Sequence, residues 1–284
     1  MLNHLLKLVF KLPLPILHAA GVVVGWAMYL TDKKFSRRIR KNLLTVNIAA
    51  NATVHKKLVH QTVQEIGKGL VESLAIWLNP QNRIVNWVKG CTGWEHVEQA
   101  LASKKGIIFL TPHLGCYEIT SQYVGANHAL TILFRPPRTK WLLPIMSSGR
   151  EQGKITLAET NMRGVRSLIR TLRNGGAIGI LPDQVPSLGE GEWTDFFGTP
   201  AYTMTLASKL AETTGATVIM TFGERLAYGQ GYHLHFELVG EDASPQAINH
   251  SIERLIILKP AQYLWSYQRF KSPKSPRITS DETI

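Results

Sequence analysis

A histidine and a glutamate lie five residues apart in the segment TPHLGCYEIT, residues 111–120, directly after the apolar run GIIFL. Neutral imidazole accepts a proton near pH 7, and a well-placed general base contributes ~10²–10⁴-fold to a reaction rate. A carboxylate that binds the second ring nitrogen fixes the tautomer of such a base. If a helix begins just after His113, Glu118 lies in its second turn and can reach back to the ring. We therefore predict that His113 is a general base and that Glu118 orients it.

The other residues of this segment allow further roles. Gly115 would let a substrate approach the backbone closely, and the N–H groups of the following helical turn would point at developing negative charge. Cys116 is a possible thiol nucleophile that would form a covalent intermediate. A loop histidine and a surface glutamate without chemistry are the plain alternative. The position after an apolar strand, where α/β proteins place their sites, favours catalysis.

Three arginines and an aspartate are further candidates for the site. Arg150, in SGREQG, has a guanidinium that can bind a phosphate through two parallel hydrogen bonds or stabilise an oxyanion. Arg135 and Arg138 flank a Pro-Pro pair after an apolar run, which makes them possible phosphate contacts. Asp183 follows a proline at the end of another apolar run. A role in the site and a simple turn are both open for it.

The elements that must position these residues alternate between short apolar runs and amphipathic segments. This alternation predicts an α/β fold with a mixed, largely parallel central sheet flanked by helices. We expect a loop over 192–200. Strands are predicted at 106–112, 130–137, 177–184, 216–225 and 232–240, and helices within 36–78 and at 94–103, 162–176, 201–215 and 248–270, the last broken near Pro260.

The N-terminal segment combines an apolar stretch, residues 12–30, with a cluster of cations. Residues 1–60 hold ten Lys or Arg and a single acid, and the whole chain carries a net charge of +12. Each cation beside an apolar helix contributes about 1 kcal/mol of attraction to an anionic lipid surface. Six cations directly follow the stretch: Lys33, Lys34, Arg37, Arg38, Arg40 and Lys41.

The domain organisation follows from this pattern. A secretory signal peptide is the alternative for the apolar stretch, but no clear small-residue cleavage site follows it. We predict a membrane anchor at 1–31, either spanning the bilayer or lying in its interface, a catalytic domain at 32–272, and a polar, disordered tail at 273–284.

Several classes of function are disfavoured by what the sequence lacks. The two cysteines form no CxxC pair, which argues against a cysteine zinc site and a disulfide framework. No G-x-S-x-G elbow of a serine hydrolase is present. Gly175, Gly176 and Gly179 do not have the spacing of a dinucleotide fingerprint. We expect neither a metal nor a bound cofactor.

The segment HLGCYE resembles the His, four residues, Asp/Glu motif of the glycerolipid-type acyltransferases. Within that superfamily the chain is most similar to the lipid A biosynthesis (lauroyl/myristoyl) acyltransferases. Family members often have Asn-Trp where this chain has Cys116-Tyr117, which puts acceptor or chain-length preference in doubt. The resemblance runs from 37 to 271 and includes FRPPR at 134–138, SSGREQGK at 147–154, LRNGGAIGILPDQ at 172–184, DFFGTPAYTMTLASKLAETTGATV at 195–218 and QYLWSYQRFK at 262–271.

The resemblance implies an O-acyltransferase on the cytoplasmic face of a bacterial inner membrane. It would move a fatty acyl group from acyl carrier protein to the 3-hydroxyl of an acyl chain on a lipid A precursor, a late step of lipopolysaccharide biosynthesis. His113 and Glu118 would match the family's catalytic pair, and Arg150 an essential arginine. Nucleic acid is not an expected partner. Two alternatives are a glycerophospholipid acyltransferase and a non-catalytic, membrane-tethered protein that binds polyanions.

Overall fold

The computed structural model describes residues 9–137 and 139–275, so that Arg138 and most of the predicted tail at 273–284 lie outside the described residues. The predicted mixed, largely parallel sheet is confirmed. Seven strands are arranged in the order β1-β9-β8-β2-β5-β3-β4, and only β8 and β9 are antiparallel neighbours. The strands of the sheet are β1 (Val88–Thr92), β2 (Ile107–Leu110), β3 (Leu130–Phe134), β4 (Ile155–Glu159), β5 (Ala177–Ile180), β8 (Thr217–Arg225) and β9 (Tyr232–Leu238).

Helices cover both faces of the sheet, as predicted. Because successive side chains of a strand point to opposite faces, β2 contributes to two cores. Ile108 and Leu110 pack on the face covered by α2, α3, α8, α9 and α10, whereas Ile107 and Phe109 pack on the face covered by α4, α5 and α6. The helices are α1 (Leu14–Thr31), α2 (Lys33–Val46), α3 (Ala52–Leu78), α4 (Gln81–Val85), α5 (Trp94–Ser103), α6 (Tyr117–Asn127), α7 (Leu143–Arg150), α8 (Met162–Arg173), α9 (Leu206–Thr214) and α10 (Pro245–Leu258).

The predictions of a loop at 192–200 and of a helix from 201 are wrong. An antiparallel hairpin occupies the region, formed by β6 (Gly191–Phe196) and β7 (Thr199–Met204). Phe197 and Gly198 connect the two strands with φ of 51° and 67°. A two-residue turn with both central residues at positive φ matches the twist of a hairpin. Phenylalanine is unusual at such a position, so the turn carries no familiar sequence signal.

The last predicted helix, 248–270, also ends earlier than expected. Helix α10 stops at Leu258, and a short 3₁₀ turn, Pro260–Gln262, follows it. A proline removes a backbone donor and disfavours the helical conformation of the residue before it. Residues 263–270 are therefore free to cross the carboxyl edge of the sheet, where they contact the loops described below.

Helix α1 packs against α3 at a distance that only glycine permits. A Cβ atom on Gly67 of α3 would lie 2.0 Å from the carbonyl oxygen of Gly21, and a Cβ atom on Gly25 would lie 2.2 Å from the carbonyl oxygen of Val63. The absence of side chains on these three glycines lets the two backbones touch, as small residues do between membrane helices.

A buried polar network holds the same two helices to the sheet. Glu72 of α3 is only 1% exposed and accepts hydrogen bonds from Arg225 Nε at 2.9 Å and from the Tyr232 hydroxyl at 2.8 Å. His18 of α1 contacts the same carboxylate at 3.2 Å. Burial by itself raises the pKa of Glu72, but the charge of Arg225 outweighs it and places the pKa well below its usual range. The network therefore contains an ionised carboxylate.

The opposite face of α1 is apolar and unburied. Within the described residues, α1 is the one helix that is long and apolar enough to cross a bilayer, and 28% of its residues are buried in the protein. Its composition confirms the predicted apolar N-terminal helix. The exposed large apolar side chains of α1 are Ile16, Val23, Val24 and Leu30.

The close contact between α1 and α3 can be tested by adding one methyl group. Gly67→Ala should lower the free energy of unfolding by about 1–3 kcal/mol, because the new Cβ meets backbone atoms that cannot rotate away. Gly69→Ala on the same helix is the matched control, since its Cβ would have no neighbour closer than 3.7 Å. Thermal unfolding in detergent should separate the two variants. Equal stability of both would show that α1 is not packed on α3 in this way.

Candidate active site

The positions of His113 and Asp183 are set by the pairing of two central parallel strands. Leu110 of β2 lies opposite Ile180 of β5, and the Thr111 N–H donates to the Ile180 carbonyl at 2.9 Å. Each strand continues through one residue and a proline before the polar side chain, so that His113 and Asp183 both stand three residues beyond the last paired position. Equal extensions from strands in register bring the two side chains together at the carboxyl edge of the sheet.

The Asp183 carboxylate holds the histidine at two points. One oxygen accepts a hydrogen bond from the His113 backbone N–H at 2.9 Å, and the other lies 2.8 Å from the ring Nδ1. Because an ionised carboxylate only accepts hydrogen bonds, Nδ1 carries the proton in this pair. In the neutral ring, Nε2 then keeps the lone pair that a general base needs.

Asp183 is ionised although it is only 2% exposed. Burial by itself raises the pKa of this carboxyl, but the charge and hydrogen bonds of His113, together with the charge of Arg269, outweigh burial and lower it. Since the pKa is depressed in the folded protein, the carboxylate stabilises the fold at pH values above the pKa in the unfolded chain. This contribution is lost as the pH falls through the folded-state pKa.

The C-terminal segment fastens both loops of the site. The Leu264 N–H donates to the His113 carbonyl at 2.9 Å, and the Val185 N–H donates to the Tyr267 hydroxyl at 2.9 Å. Arg269, 1% exposed, donates to the Tyr202 carbonyl at 2.8 Å and thereby keeps a positive charge near Asp183. Local sequence patterns give no role to these residues, because their contacts join positions about 67 to 151 residues apart.

The His113 ring has two further neighbours, and one of them lies at its free nitrogen. The Gln184 side-chain amide nitrogen lies 3.2 Å from Nε2, and the Tyr117 ring lies 4.9 Å from the imidazole, centroid to centroid. Gln184 thus occupies the position that a hydroxyl substrate must take to give up its proton to Nε2.

Glu118 does not bind the His113 ring as the sequence analysis expected. The segment 114–116 is held by backbone contacts, so α6 begins only at Tyr117 and Glu118 lies in its first turn, facing away from the ring. Its buried carboxylate instead receives a forked pair of hydrogen bonds from Arg150, from Nε at 3.0 Å and from Nη2. The orienting position is occupied by Asp183.

The ion pair between Glu118 and Arg150 is shielded from water. Burial by itself lowers the pKa of Arg150, but the Glu118 carboxylate raises it above its ordinary value, so the arginine stays charged. The Arg150 guanidinium also lies 5.7 Å from the centre of the Trp77 ring and 5.6 Å from that of Phe134. Both charged side chains line a narrow cavity of about 30 Å³ that is otherwise largely apolar, room for about one water.

Gly115 and Cys116 have structural contacts in place of the chemistry considered for them. The Gly115 N–H donates to the Gln262 carbonyl at 3.0 Å and the Cys116 N–H to the Gly223 carbonyl at 2.8 Å, so neither is directed at a substrate. A Cβ on Gly115, whose φ is +57°, would lie 2.1 Å from the Gly223 oxygen. The close approach that requires this glycine is made to another strand. Burial raises the pKa of the Cys116 thiol well above its ordinary value, which disfavours a thiolate nucleophile.

The two remaining arginine candidates are Arg135 and Arg138. Arg135 is exposed directly after the carboxyl end of β3, on the edge of the sheet that carries His113. Arg138 is outside the described residues. The arrangement as a whole provides a base with a fixed tautomer, an ionised carboxylate behind it and a separate buried guanidinium, which suits proton removal from a hydroxyl and stabilisation of a developing oxyanion.

The chain is similar in sequence to known lipid A acyltransferases. The chain is 25% identical to the lipid A biosynthesis lauroyltransferase of Escherichia coli (strain K12) over 280 residues, 94% of this chain and 89% of that protein. It is 25% identical to the lipid A biosynthesis palmitoleoyltransferase of the same organism over 270 residues, 92% of this chain and 87% of that protein. A family model described as bacterial lipid A biosynthesis acyltransferase matches residues 1–272. The chain belongs to this family of acyltransferases.

Proposed function

We propose that this acyltransferase carries a fatty acyl group from acyl carrier protein to the 3-hydroxyl of an acyl chain on a lipid A precursor. The observation that carries the proposal is the His113–Asp183 pair, which leaves a proton-accepting Nε2 at the carboxyl edge of the sheet. The lauroyl and palmitoleoyl transferases to which the chain is similar support a fatty acyl donor and a lipid A acceptor. A protein that only binds polyanions has no use for such a base.

The reaction that this geometry supports is direct transfer. The acceptor hydroxyl displaces the Gln184 amide and gives its proton to Nε2 of His113 as its oxygen attacks the thioester carbonyl. Asp183 stabilises the imidazolium that forms. When the tetrahedral intermediate collapses, the carbon–sulfur bond breaks, the imidazolium returns the proton to the thiolate, and an ester and a free pantetheine thiol remain. No covalent acyl-enzyme is needed.

Arg150 and Glu118 have separate tasks in this proposal. Arg150 supplies the positive charge that stabilises the oxyanion of the tetrahedral intermediate, and the acyl donor would have to widen the narrow cavity beside Arg150 to bring the oxyanion within its reach. Glu118 holds the guanidinium in place through its two oxygens. Glu118 is therefore a positioning residue that acts through Arg150 and not through His113. Arg135 and Arg138 are proposed contacts for phosphate groups of the donor or the acceptor.

The N-terminal elements fit an enzyme whose acceptor lies in a membrane. The unburied apolar face of α1 would enter the bilayer, and the cations of α2 would contact anionic headgroups at its surface. We place the enzyme at the cytoplasmic face of the inner membrane, because cationic segments beside apolar helices remain on the cytoplasmic side.

Removing the negative charge of Asp183 tests the proposed base directly. Asp183→Asn should reduce turnover ~10²–10⁴-fold, because the amide neither fixes the correct tautomer nor stabilises the imidazolium. His113→Ala should be as severe, and the double variant should be no worse than either single variant, since the two residues act as one unit. Asp242→Asn, the same change at an exposed position, is the control. Transfer assays with purified enzyme should show this pattern. Near wild-type turnover of Asp183→Asn would contradict it.

A double-mutant cycle separates the structural role of the Glu118–Arg150 pair from its chemical role. Glu118→Gln and Arg150→Met should each lower the free energy of unfolding by about 3–5 kcal/mol, because each leaves a buried charge without its partner. The double variant should regain much of this stability. It should still turn over ~10²–10³-fold more slowly than the wild type, because the oxyanion charge is gone. A double variant that is both stable and fully active would remove Arg150 from the reaction.

A further inference from the structure

Helix α8 presents four arginines on a single face. Arg163, Arg166, Arg170 and Arg173 follow one another at intervals of three and four residues, which places them along one side of a helix. All four are exposed, whereas Leu168 and Leu172 on the opposite side are buried in the core. We call these four residues the arginine face.

The arginines of this face have no ion-pair partner among the described residues. Helix α8 contains no Asp or Glu. Within residues 9–137 and 139–275, no guanidinium of the four makes a hydrogen bond or an ion pair with another side chain. Like charges three or four residues apart destabilise a helix. Arg163 additionally lies in the first turn, where the helix dipole disfavours a cation. Arg170 and Arg173 lie in the last turn, where the helix dipole favours cations, so the local cost falls on Arg163 and Arg166. Unpaired charge at that end of the helix points to a role outside it.

The arginine face begins at the same edge of the sheet as the active site. Strand β4 ends at Glu159, and α8 starts three residues later at the carboxyl edge. In the order β2-β5-β3-β4, three strand spacings separate β4 from the strand before His113, a lateral distance of about 14 Å. The exposed Arg135, after β3, lies between them in this order and continues the line of positive charge toward the site.

The surroundings of α8 favour a protein partner over a lipid surface. An amphipathic helix that enters a membrane interface presents apolar side chains beside its cations. On α8 the aliphatic side chains Leu168 and Leu172 are buried in the core, and Met162 is the one large apolar side chain of the helix that is well exposed, at 65%. Four exposed large apolar side chains lie on α1, which packs against α2 and α3, whereas α8 packs against β3, β4, β5 and α9.

We propose that the arginine face docks acyl carrier protein, an inference that rests on the proposed function. Acyl carrier protein is a small acidic helical protein, and carboxylates spaced along one of its helices would meet guanidinium groups spaced along α8. Arginine suits this contact because its planar fork binds a carboxylate through two parallel hydrogen bonds. Docking there places the pantetheine arm at the carboxyl edge of the sheet, where it can extend past Arg135 toward His113.

The test uses detergent-solubilised full-length enzyme and compares two donors that share a thioester and a pantetheine arm. One donor is acyl carrier protein loaded with a fatty acyl group, written acyl-carrier protein below, and the other is acyl-pantetheine. Changing all four arginines of the face to glutamine should reduce kcat/KM for the protein donor on the order of 10²-fold, mainly through KM, within the range that electrostatic steering spans. The rate with acyl-pantetheine should not change. Added salt should lower the wild-type kcat/KM for the protein donor toward that of the variant, because salt screens the attraction that the variant has lost.

A matched variant controls for net charge. Lys33, Arg37, Arg40 and Lys41 line a groove on α2, and changing these four to glutamine removes the same charge. That variant should bind anionic phospholipid vesicles more weakly and keep the wild-type KM for acyl-carrier protein. Thermal unfolding should show the arginine-face variant close to the wild type in stability, since the substitutions break no ion pair among the described residues. Two double variants provide a second measurement. Arg163→Gln with Arg166→Gln should raise KM for the protein donor more than Arg170→Gln with Arg173→Gln, because the first pair lies nearer the edge of the sheet that carries the site.

The outcomes distinguish the docking surface from the function itself. An unchanged KM for acyl-carrier protein in the arginine-face variant, with a wild type that uses this donor, would overturn the docking proposal and leave the proposed function intact. Loss of vesicle binding with an unchanged KM would identify the face as a lipid contact and overturn it as well. A wild type that transfers from acyl-pantetheine but never from acyl-carrier protein would contradict the proposed donor, and the docking proposal with it.

Discussion

The buried carboxylate of Asp183 is the constraint on which the site depends. The charge of His113 and hydrogen bonds from its ring and backbone lower the pKa of this carboxyl against the effect of burial. The carboxylate in turn fixes the tautomer in which His113 presents Nε2. Parallel pairing of β2 and β5 in one register supplies this match, since both side chains stand equally far beyond a shared hydrogen-bonded position. A slip of this pairing by one residue would turn the side chains to opposite faces of the sheet. The chemistry and the central strands are thus specified together.

The loops around this pair are fixed by distant parts of the chain. Gln262 illustrates the coupling, because its backbone carbonyl accepts from Gly115 while its side chain exchanges hydrogen bonds with the backbone of Arg225. Arg225 in turn binds Glu72, which contacts the apolar helix through His18. A continuous set of polar contacts therefore joins the helix assigned to the membrane with the loop that carries the base. The glycine contact between α1 and α3 makes this arrangement compact, since no side chain separates the two helices.

Much of this fold could be predicted from the sequence, because short apolar strands alternate with amphipathic helices. The site was only partly predictable. His113 and Asp183 are the last residues of the similar segments LTPH and ILPD. This similarity predicts that the two side chains meet only if their strands are known to be neighbours. We predicted that Glu118 contacts the His113 ring because its spacing from His113 does not reveal that α6 begins only at Tyr117. The hairpin at Phe197-Gly198 and the contacts of Arg269 depend on tertiary packing, which overrides local preference.

The most direct test is the mass of lipid A from the bacterium that makes this protein, with its gene deleted and then restored. We expect deletion to yield lipid A lighter by one secondary acyl chain and the wild-type gene to restore the mass. A gene encoding Asp183→Asn should produce stable protein without restoring it. Unchanged lipid A in the deletion strain would contradict the proposed acceptor. Full restoration by Asp183→Asn would contradict the proposal that a histidine held by a buried carboxylate performs the transfer.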